Sequence, residues 1–415
     1  VTADVLQNLA LLHLKTEDFE KALDTYTQCL SLRKRCFRHW AKSAGITGTF
    51  DSESAPKSQQ TIQTLNHGRL ELADVLNNIG QIHLKLGRLQ DSIKPLTGAL
   101  ELRRAALPDP NHFLITSLLE SLGLVYSELG GDKYQDAYEC FEEVVFVKKT
   151  MLNPDHLEIA EALNGMAGAL YKLGQPDESL SLSQEAETIC RTNIVRDEGE
   201  HVIGGDQFHN LAVVSLSTAL ENQSRVLVQK EMYQEAKRGY QEALHYRFKV
   251  LGERHPSVAT CLSKVASICF TIREYDEARK AYRELARVRE LVVGRHHVSV
   301  AEAMNNVGLC FGELGDYFQA RFYHSEALKI FKMALGTECH QSVAETMNYL
   351  GMTVKKEGGK RYEAVEYFTN ALRIYRDCGV DPQDPNVLSV IRNMTNSKQS
   401  SASSSSMNEM ALVLR

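Results

Sequence analysis

The chain has 415 residues, of which 43% are hydrophobic and 24% charged, a balance typical of a soluble folded protein. Its formal net charge of −6 supplies no general attraction for nucleic acid or for an anionic membrane. No apolar run reaches the roughly 18 to 20 residues that a membrane-spanning helix needs. We therefore expect a protein that neither binds nucleic acid nor inserts into a membrane.

The nine cysteines are spread along the chain without framework spacing and without a C-x-x-C pair. This pattern indicates neither a zinc site nor a thioredoxin-like motif, and it favours a reducing compartment. We therefore predict a cytoplasmic location, no metal and no cofactor.

The first predicted helix carries a phrase that returns seventy residues later. Residues 3–15 read ADVLQNLALLHLK and residues 73–85 read ADVLNNIGQIHLK, with eight of thirteen positions identical. Self-similarity at this distance indicates stacked supersecondary units rather than one globular core.

Eight helix pairs are predicted along the chain, with a base period of about 42 residues. In most pairs the first helix carries a small residue twelve positions before a small residue of the second helix. Two small residues that face each other let antiparallel helices approach closely. The small residues of the second helices are Ala22, Ser92, Ala137, Ser179, Ala236, Ala278, Ala320 and Ala364.

Two insertions and a tail depart from this pattern. Residues 41–68 and 193–207 lengthen the spacing between pairs, and the Ser-, Thr- and Gly-rich stretch 41–65 shows no helical stripe, so we predict flexible loops there. We expect the array to occupy residues 1–392, including a short capping helix over residues 387–394. Residues 393–415 are predicted to form a low-complexity, disordered tail.

The small residues at both crossings, the large apolar residue four positions before the first, and the glycine-bearing turn resemble the tetratricopeptide repeat. The linker LGERHPSVATCLSKVA, echoed by GRHHVSVAEAMNNVG and TECHQSVAETMNYLG, is similar to the 42-residue repeats of kinesin light chains. The resemblance implies an all-α, right-handed α-solenoid of about eight helix pairs. It also implies a protein or peptide partner in a concave groove lined by the first helices, with a kinesin motor subunit as one candidate.

We find no converging nucleophile, base and orienting group and no phosphate-binding glycine loop, so we predict that the chain is not an enzyme. Histidines recur at the linkers between pairs. We expect them to cap or pack against helix starts rather than to bind a metal: His112, His156, His255, His296, His297 and His340.

Polar positions recur on the predicted inner face of the first helices. Counting the small residue of the first helix as position eight, asparagine stands at position six or five, acids recur at position two, and lysine recurs at position thirteen. An amide both donates and accepts, so an asparagine ladder can hydrogen-bond the backbone of an extended ligand. The candidate groove residues are Asn8, Asn78, Asn164, Asn222, Asn306, Asn348, Lys15, Lys85, Lys172, Asp4, Asp74 and Glu302.

We interpret the chain as a non-enzymatic interaction scaffold or adaptor, of which a kinesin light chain-like cargo adaptor is one form. Repeats that clamp chaperone carboxylates, and kinesin light chains that grip acidic peptides, usually place Lys or Arg at position two, where this chain has acids. A basic or mixed-charge ligand is therefore favoured at least as strongly. The alternatives are a chaperone co-factor, or the sensor array of a larger signalling enzyme or nucleotidase whose catalytic domain lies outside this chain.

Overall fold

The structure is a computed structural model that describes residues 2–44, 58–109, 111–199, 205–359 and 361–398. Within these ranges all regular elements are helical, and no strand is present. The predicted fold class, an all-α solenoid of helix pairs, is confirmed. Among the described helices, none combines the length and hydrophobicity needed to cross a bilayer.

The chain divides into two compact units, Val1–Val226 and Leu227–Arg415. The first contains α1 (Thr2–Lys15), α2 (Phe19–Ser43), α3 (Gln59–Lys85), α4 (Leu89–Ala106), α5 (Phe113–Leu129), a 3-10 turn (Gly131–Lys133), α6 (Tyr134–Met151), α7 (Leu157–Lys172), α8 (Pro176–Gly199) and most of α9 (Gly205–Gln229). The second contains α10 (Tyr233–Leu251), α11 (Pro256–Thr271), α12 (Tyr275–Val293), α13 (Val298–Glu313), α14 (Tyr317–Leu335), α15 (Gln341–Lys356), α16 (Arg361–Asp377) and α17 (Pro385–Lys398).

The helices of the first unit form four hairpins, α1–α2, α3–α4, α5–α6 and α7–α8. The small residues predicted at their crossings are fully buried, as shown by Ala22 and Ser92 at 0% exposure. A Cβ on Gly80 would lie 2.6 Å from the side chain of Leu96, which shows how closely α3 approaches α4. Small side chains at the crossings therefore set the spacing of each hairpin.

The second unit contains the hairpins α11–α12, α13–α14 and α15–α16, and the terminal helix α17 packs against α16 and α15. Val387, Val390 and Met394 are buried there, at 0–3% exposure. The helix expected over residues 387–394 therefore runs from Pro385 to Lys398, and the predicted end of the array at residue 392 falls inside it. The predicted disorder of residues 399–415 lies outside the described residues.

The two predicted insertions are shorter than expected. α2 continues to Ser43 and α3 begins at Gln59, so the loop prediction is wrong for residues 41–43 and 59–68. The reason is long-range packing, since the ring of Phe37 lies against Gly68 at a distance that leaves no room for a Cβ. Residues 45–57 lie outside the described part of the chain.

The second predicted loop, residues 193–207, is helical up to residue 199 and from residue 205 onward. Nδ2 of Asn193 donates to the carbonyl of Asp155 at 2.7 Å and to that of Ile189 at 2.8 Å. The first of these bonds ties α8 to the linker between α6 and α7, and the sequence pattern does not reveal it. Residues 200–204 lie outside the described ranges.

Linker histidines cap the helices that follow them, as predicted. In each case Nδ1 accepts the backbone N–H two residues on, at 3.1–3.3 Å, which satisfies one free donor of the helix start. His297, rather than its neighbour His296, caps α13. The capping residues are His112, His156, His255, His297 and His340.

Candidate functional site

A cavity of about 650 Å³ lies in the first unit, between α5, α7 and α9. These are first helices of successive predicted pairs, the elements expected to line a groove. α5 contributes Glu120 and Leu124, α7 contributes Glu161 and Asn164, and α9 contributes residues of its 214–225 segment. The volume lies within the usual range for ligand sites, about 300 to 1,000 Å³.

Two glycines of α7 shape this cavity. A Cβ on Gly165 would lie 2.5 Å from the ring of Phe141, so the glycine lets α7 approach α6 closely. A Cβ on Gly168 would meet no atom within 4 Å. The missing side chain of Gly168 therefore leaves open space in the groove.

Two of the predicted ladder asparagines join α7 to α9. Asn164 and Asn222 are buried, at 6% and 4% exposure. Nδ2 of Asn164 donates to the carbonyl of Ser215 at 2.9 Å and to its Oγ at 3.1 Å. Nδ2 of Asn222 donates to the backbone carbonyl of Asn164 at 3.1 Å. Their Nδ2 groups thus join first helices to one another, and the contact of these two asparagines with a ligand stays a prediction.

Asn164 keeps one unused group. Its Oδ1 is buried and has no hydrogen-bond partner within the described structure. Because a carbonyl can only accept, the bond to the Ser215 carbonyl fixes the amide with Nδ2 on that side. An unsatisfied buried acceptor costs about 1 to 3 kcal/mol, and Asn164 lines the cavity.

The other ladder asparagines differ from one another. Nδ2 of Asn78 donates to the hydroxyl of Tyr26 at 3.2 Å, and Oδ1 of Asn348 accepts from Asn393 at 3.0 Å. Asn8 is exposed and Asn306 half-buried. The six positions therefore do not form one uniform ligand-facing ladder.

The acids at position two are paired by basic residues of second helices. Arg33 lies 2.9 Å from Asp4, and Arg103 lies 2.9 Å from Asp74, in both cases 29 residues along the chain. Arg103 is only 4% exposed. Sequence reasoning missed these buried cations, although the spacing of 29 residues was available as a signal.

Glu302 is paired differently, because Arg289 of the preceding helix lies 3.3 Å from it and donates to the carbonyl of Ser299 at 2.6 Å. The predicted acids Asp4, Asp74 and Glu302 therefore all have internal partners.

The predicted lysines lie at the ends of first helices. Lys85 stands over the ring of Phe19 at 5.7 Å, and Lys172 stands over the ring of Tyr134 at 5.9 Å. Lys15 is exposed. Of the three, Lys172 borders the cavity of the first unit.

One group of metal-type ligands lies close together within the described residues, namely Cys269, Glu274 and Glu277. Nζ of Lys237 lies 2.6 Å from Glu277 and also contacts Glu274. Burial raises the pKa of the Cys269 thiol, which disfavours the thiolate that binds metals. The arrangement is an ion-pair cluster around a lysine.

Family models of the tetratricopeptide repeat match residues 5–38, 72–113, 215–290, 262–333 and 299–377. Together these segments cover more than half of the chain. The chain therefore belongs to the tetratricopeptide repeat family, as its sequence pattern predicted.

Solved structures resemble the chain at low sequence identity. BtubC (BKLC) from P. vanneervenii is 18% identical, with a TM-score of 0.46 over 64% of this chain and 94% of that chain. A putative kinesin light chain from Podosopora anserina is 17% identical, with a TM-score of 0.43 over 55% and 98%. The signal transduction ATPase PH0952 from Pyrococcus horikoshii, which has a tetratricopeptide repeat sensor, is 10% identical, with a TM-score of 0.50 over 94% and 54%. No curated protein matches the chain.

Proposed function

We propose that the chain is a non-enzymatic interaction scaffold that binds an extended peptide in the groove between α5, α7 and α9. Tetratricopeptide repeats form interaction scaffolds, and stacked repeats present extended binding surfaces. The observation that carries the proposal is the cavity of about 650 Å³ whose wall contains the unpaired acceptor of Asn164. A peptide backbone offers an N–H donor at nearly every residue, which is the group that this acceptor lacks.

The test fills the groove with a side chain. Gly168→Phe places an aromatic side chain where a Cβ meets no atom within 4 Å, and Phe is a better helix former than Gly by roughly 0.5 kcal/mol, so folding should be retained. Ser181→Phe, at an exposed position of α8, is the matched control.

Short random peptides are selected on the full chain, and one enriched peptide is titrated by fluorescence anisotropy. We expect Gly168→Phe to weaken binding by about tenfold or more, equivalent to 1.4 kcal/mol, and the control to bind like wild type. Equal affinity of the wild type and both variants would show that peptides bind elsewhere.

Two cellular roles are compatible with such a scaffold: a cargo adaptor of the kinesin light chain kind, and the sensor array of a larger signalling enzyme. The reading frame around this chain discriminates between them. Upstream heptad repeats would favour the adaptor, whereas an upstream phosphate-binding loop would favour the sensor array.

A further inference from the structure

An acid–cation pair recurs inside the first two hairpins. Asp4 on α1 pairs with Arg33 on α2, and Asp74 on α3 pairs with Arg103 on α4. In both hairpins the basic residue follows the acid by 29 positions and carries a nearly buried side chain, 10% and 5% exposed. The pair thus balances a carboxylate at the start of the first helix.

The hairpin α7–α8 has the acid without the cation. Glu161 occupies the register of Asp4 and Asp74, and the residue 29 positions later is Cys190. Cys190 is fully buried, and burial raises the pKa of its thiol to about 11 against the opposing effect of a hydrogen bond with Ser215. A thiol has no cationic form, so Cys190 cannot balance the carboxylate of Glu161.

Glu161 has no hydrogen bond or ion pair within the described structure. Lys148, whose charge acts on Glu161, lies 3.1 Å from Glu158 and also contacts Glu120. Burial raises the pKa of Glu161, because taking its charge out of water is only partly offset by Lys148. The ammonium group of Lys148 is thus already paired with two other carboxylates, and Glu161 lines the cavity without an ion pair among the described residues.

A second acceptor lies beside Glu161. Asn164 is three residues further along α7, so the two side chains are neighbours on one face of the helix. Its Oδ1 is the buried acceptor without a partner. The site therefore offers a carboxylate and an amide oxygen to a donor-rich, positively charged group.

The rest of the wall fits a long basic side chain. Leu124 is 59% exposed in the groove and can cover the apolar stem of a lysine or arginine. The cations of the wall are already engaged, because Arg225 contacts Glu221 and Lys172 lies over Tyr134. The carboxylate of Glu161 can therefore pair with a cation supplied by a ligand.

We propose that the groove holds its peptide through a lysine or arginine side chain, whose cationic head takes the place that Arg33 and Arg103 occupy in the first two hairpins. This inference rests on the peptide-binding function proposed above. It predicts a positively charged ligand, whereas the relatives considered in the sequence analysis bind chaperone carboxylates or acidic peptides.

The first experiment identifies the peptide chemistry. Short random peptides are selected on the full wild-type chain and tested against Gly168→Phe. We expect the blocked peptides to share a lysine or arginine. Blocked peptides that lack a basic residue overturn this inference and leave the proposed function standing, whereas peptides that Gly168→Phe does not block overturn the proposed function itself.

The second experiment locates the charge contact. One selected peptide is compared with its analogue in which lysine is replaced by norleucine, or arginine by citrulline. Glu161→Gln should weaken the charged peptide about tenfold and leave the neutral analogue unchanged. Glu178→Gln, which removes an exposed acid of α8, is the control for net charge. Equal weakening by both variants, or none by Glu161→Gln, overturns the inference.

A third variant supplies the missing cation internally. Cys190→Arg should pair with Glu161 as Arg103 pairs with Asp74, and so weaken the charged peptide to a similar extent. Unchanged affinity in a Cys190→Arg protein that retains its helical circular dichroism would contradict the assigned contact.

Discussion

Acidification should destabilise the second unit through one buried histidine, His324 on α14. His324 is only 1% exposed, and its Nδ1 lies 3.1 Å from Oδ1 of Asn305. Its ring centroid is 5.4 Å from that of Tyr349, and a Cβ on Gly308 would lie 2.6 Å from the ring. Burial lowers the pKa of His324 from 6.5 to about 4.

The sign of the effect follows from proton binding. Between pH 6.5 and about 4 the unfolded chain binds a proton on this histidine and the folded chain does not, so stability falls as the pH is lowered through this window. The stability that comes from burying His324 in its neutral form is fully present above pH 6.5 and fully lost below about pH 4. The difference between the two pKa values corresponds to a loss of about 3 kcal/mol in unfolding free energy at the acidic end of this pH window.

The perturbation is His324→Phe, since Phe141 and Phe368 occupy the same register against Gly123 and Gly351. The variant leaves Oδ1 of Asn305 without this partner, which should cost about 1 to 3 kcal/mol at pH 7. It also removes the titrating group. The difference in unfolding free energy, wild type minus variant, should therefore fall by about 3 kcal/mol between pH 7 and pH 4, so that the variant becomes as stable as wild type or more stable at pH 4.

The assay is urea unfolding followed by far-UV circular dichroism at several pH values, with hydrogen exchange of α13 and α14 to assign the change locally, because repeat arrays need not unfold in one step. His245→Phe, at an exposed position of α10, is the control. If wild type and His324→Phe lose stability in parallel as the pH falls, the buried histidine does not carry the effect.

Two further predictions concern packing and thiols. Ala278→Leu, at a fully buried crossing on α12, should destabilise the protein by about 1 to 3 kcal/mol in urea unfolding, whereas the exposed Lys280→Leu should have little effect. Diamide should join Cys339 and Cys378, whose sulfur atoms are 3.0 Å apart, by taking two protons and two electrons from the two thiols. Mass spectrometry of the alkylated, non-reduced protein would show this cross-link, and alkylation of both residues after oxidation would exclude it.

Local patterns predicted much of the fold. The crossing residues, such as Ala278, and the capping histidines, such as His255, were found because their structural roles depend on neighbours in the same helix pair or turn. The loop over residues 59–68 was predicted wrongly because its helix is supported by Phe37, which is distant in sequence. Spacing identifies the face of a helix, but it does not reveal which distant side chain covers that face.

The groove asparagines illustrate the same limit. The position of Asn164 on an inner face was predictable from its place in α7, but its burial depends on Ser215, which is 51 residues away. The sequence analysis missed the ion pairs that Asp4 and Asp74 form with arginines of the second helices. An acid at position two already has a sufficient local explanation, because it lies at the positive end of the helix dipole. A comparison of residues 29 positions apart would have revealed the pairs.

The second unit contains a counterpart of the proposed site that explains why the two acceptors must be considered together. Glu345 and Asn348 on α15 have the register of Glu161 and Asn164, and burial likewise raises the pKa of Glu345. Oδ1 of Asn348, however, already accepts from Asn393 on α17 at 3.0 Å. The terminal helix therefore satisfies there the acceptor that is unpaired at Asn164. We infer that repeat register alone does not create a binding site, and that the decisive feature is an acid and an amide oxygen left open on the same helix turn.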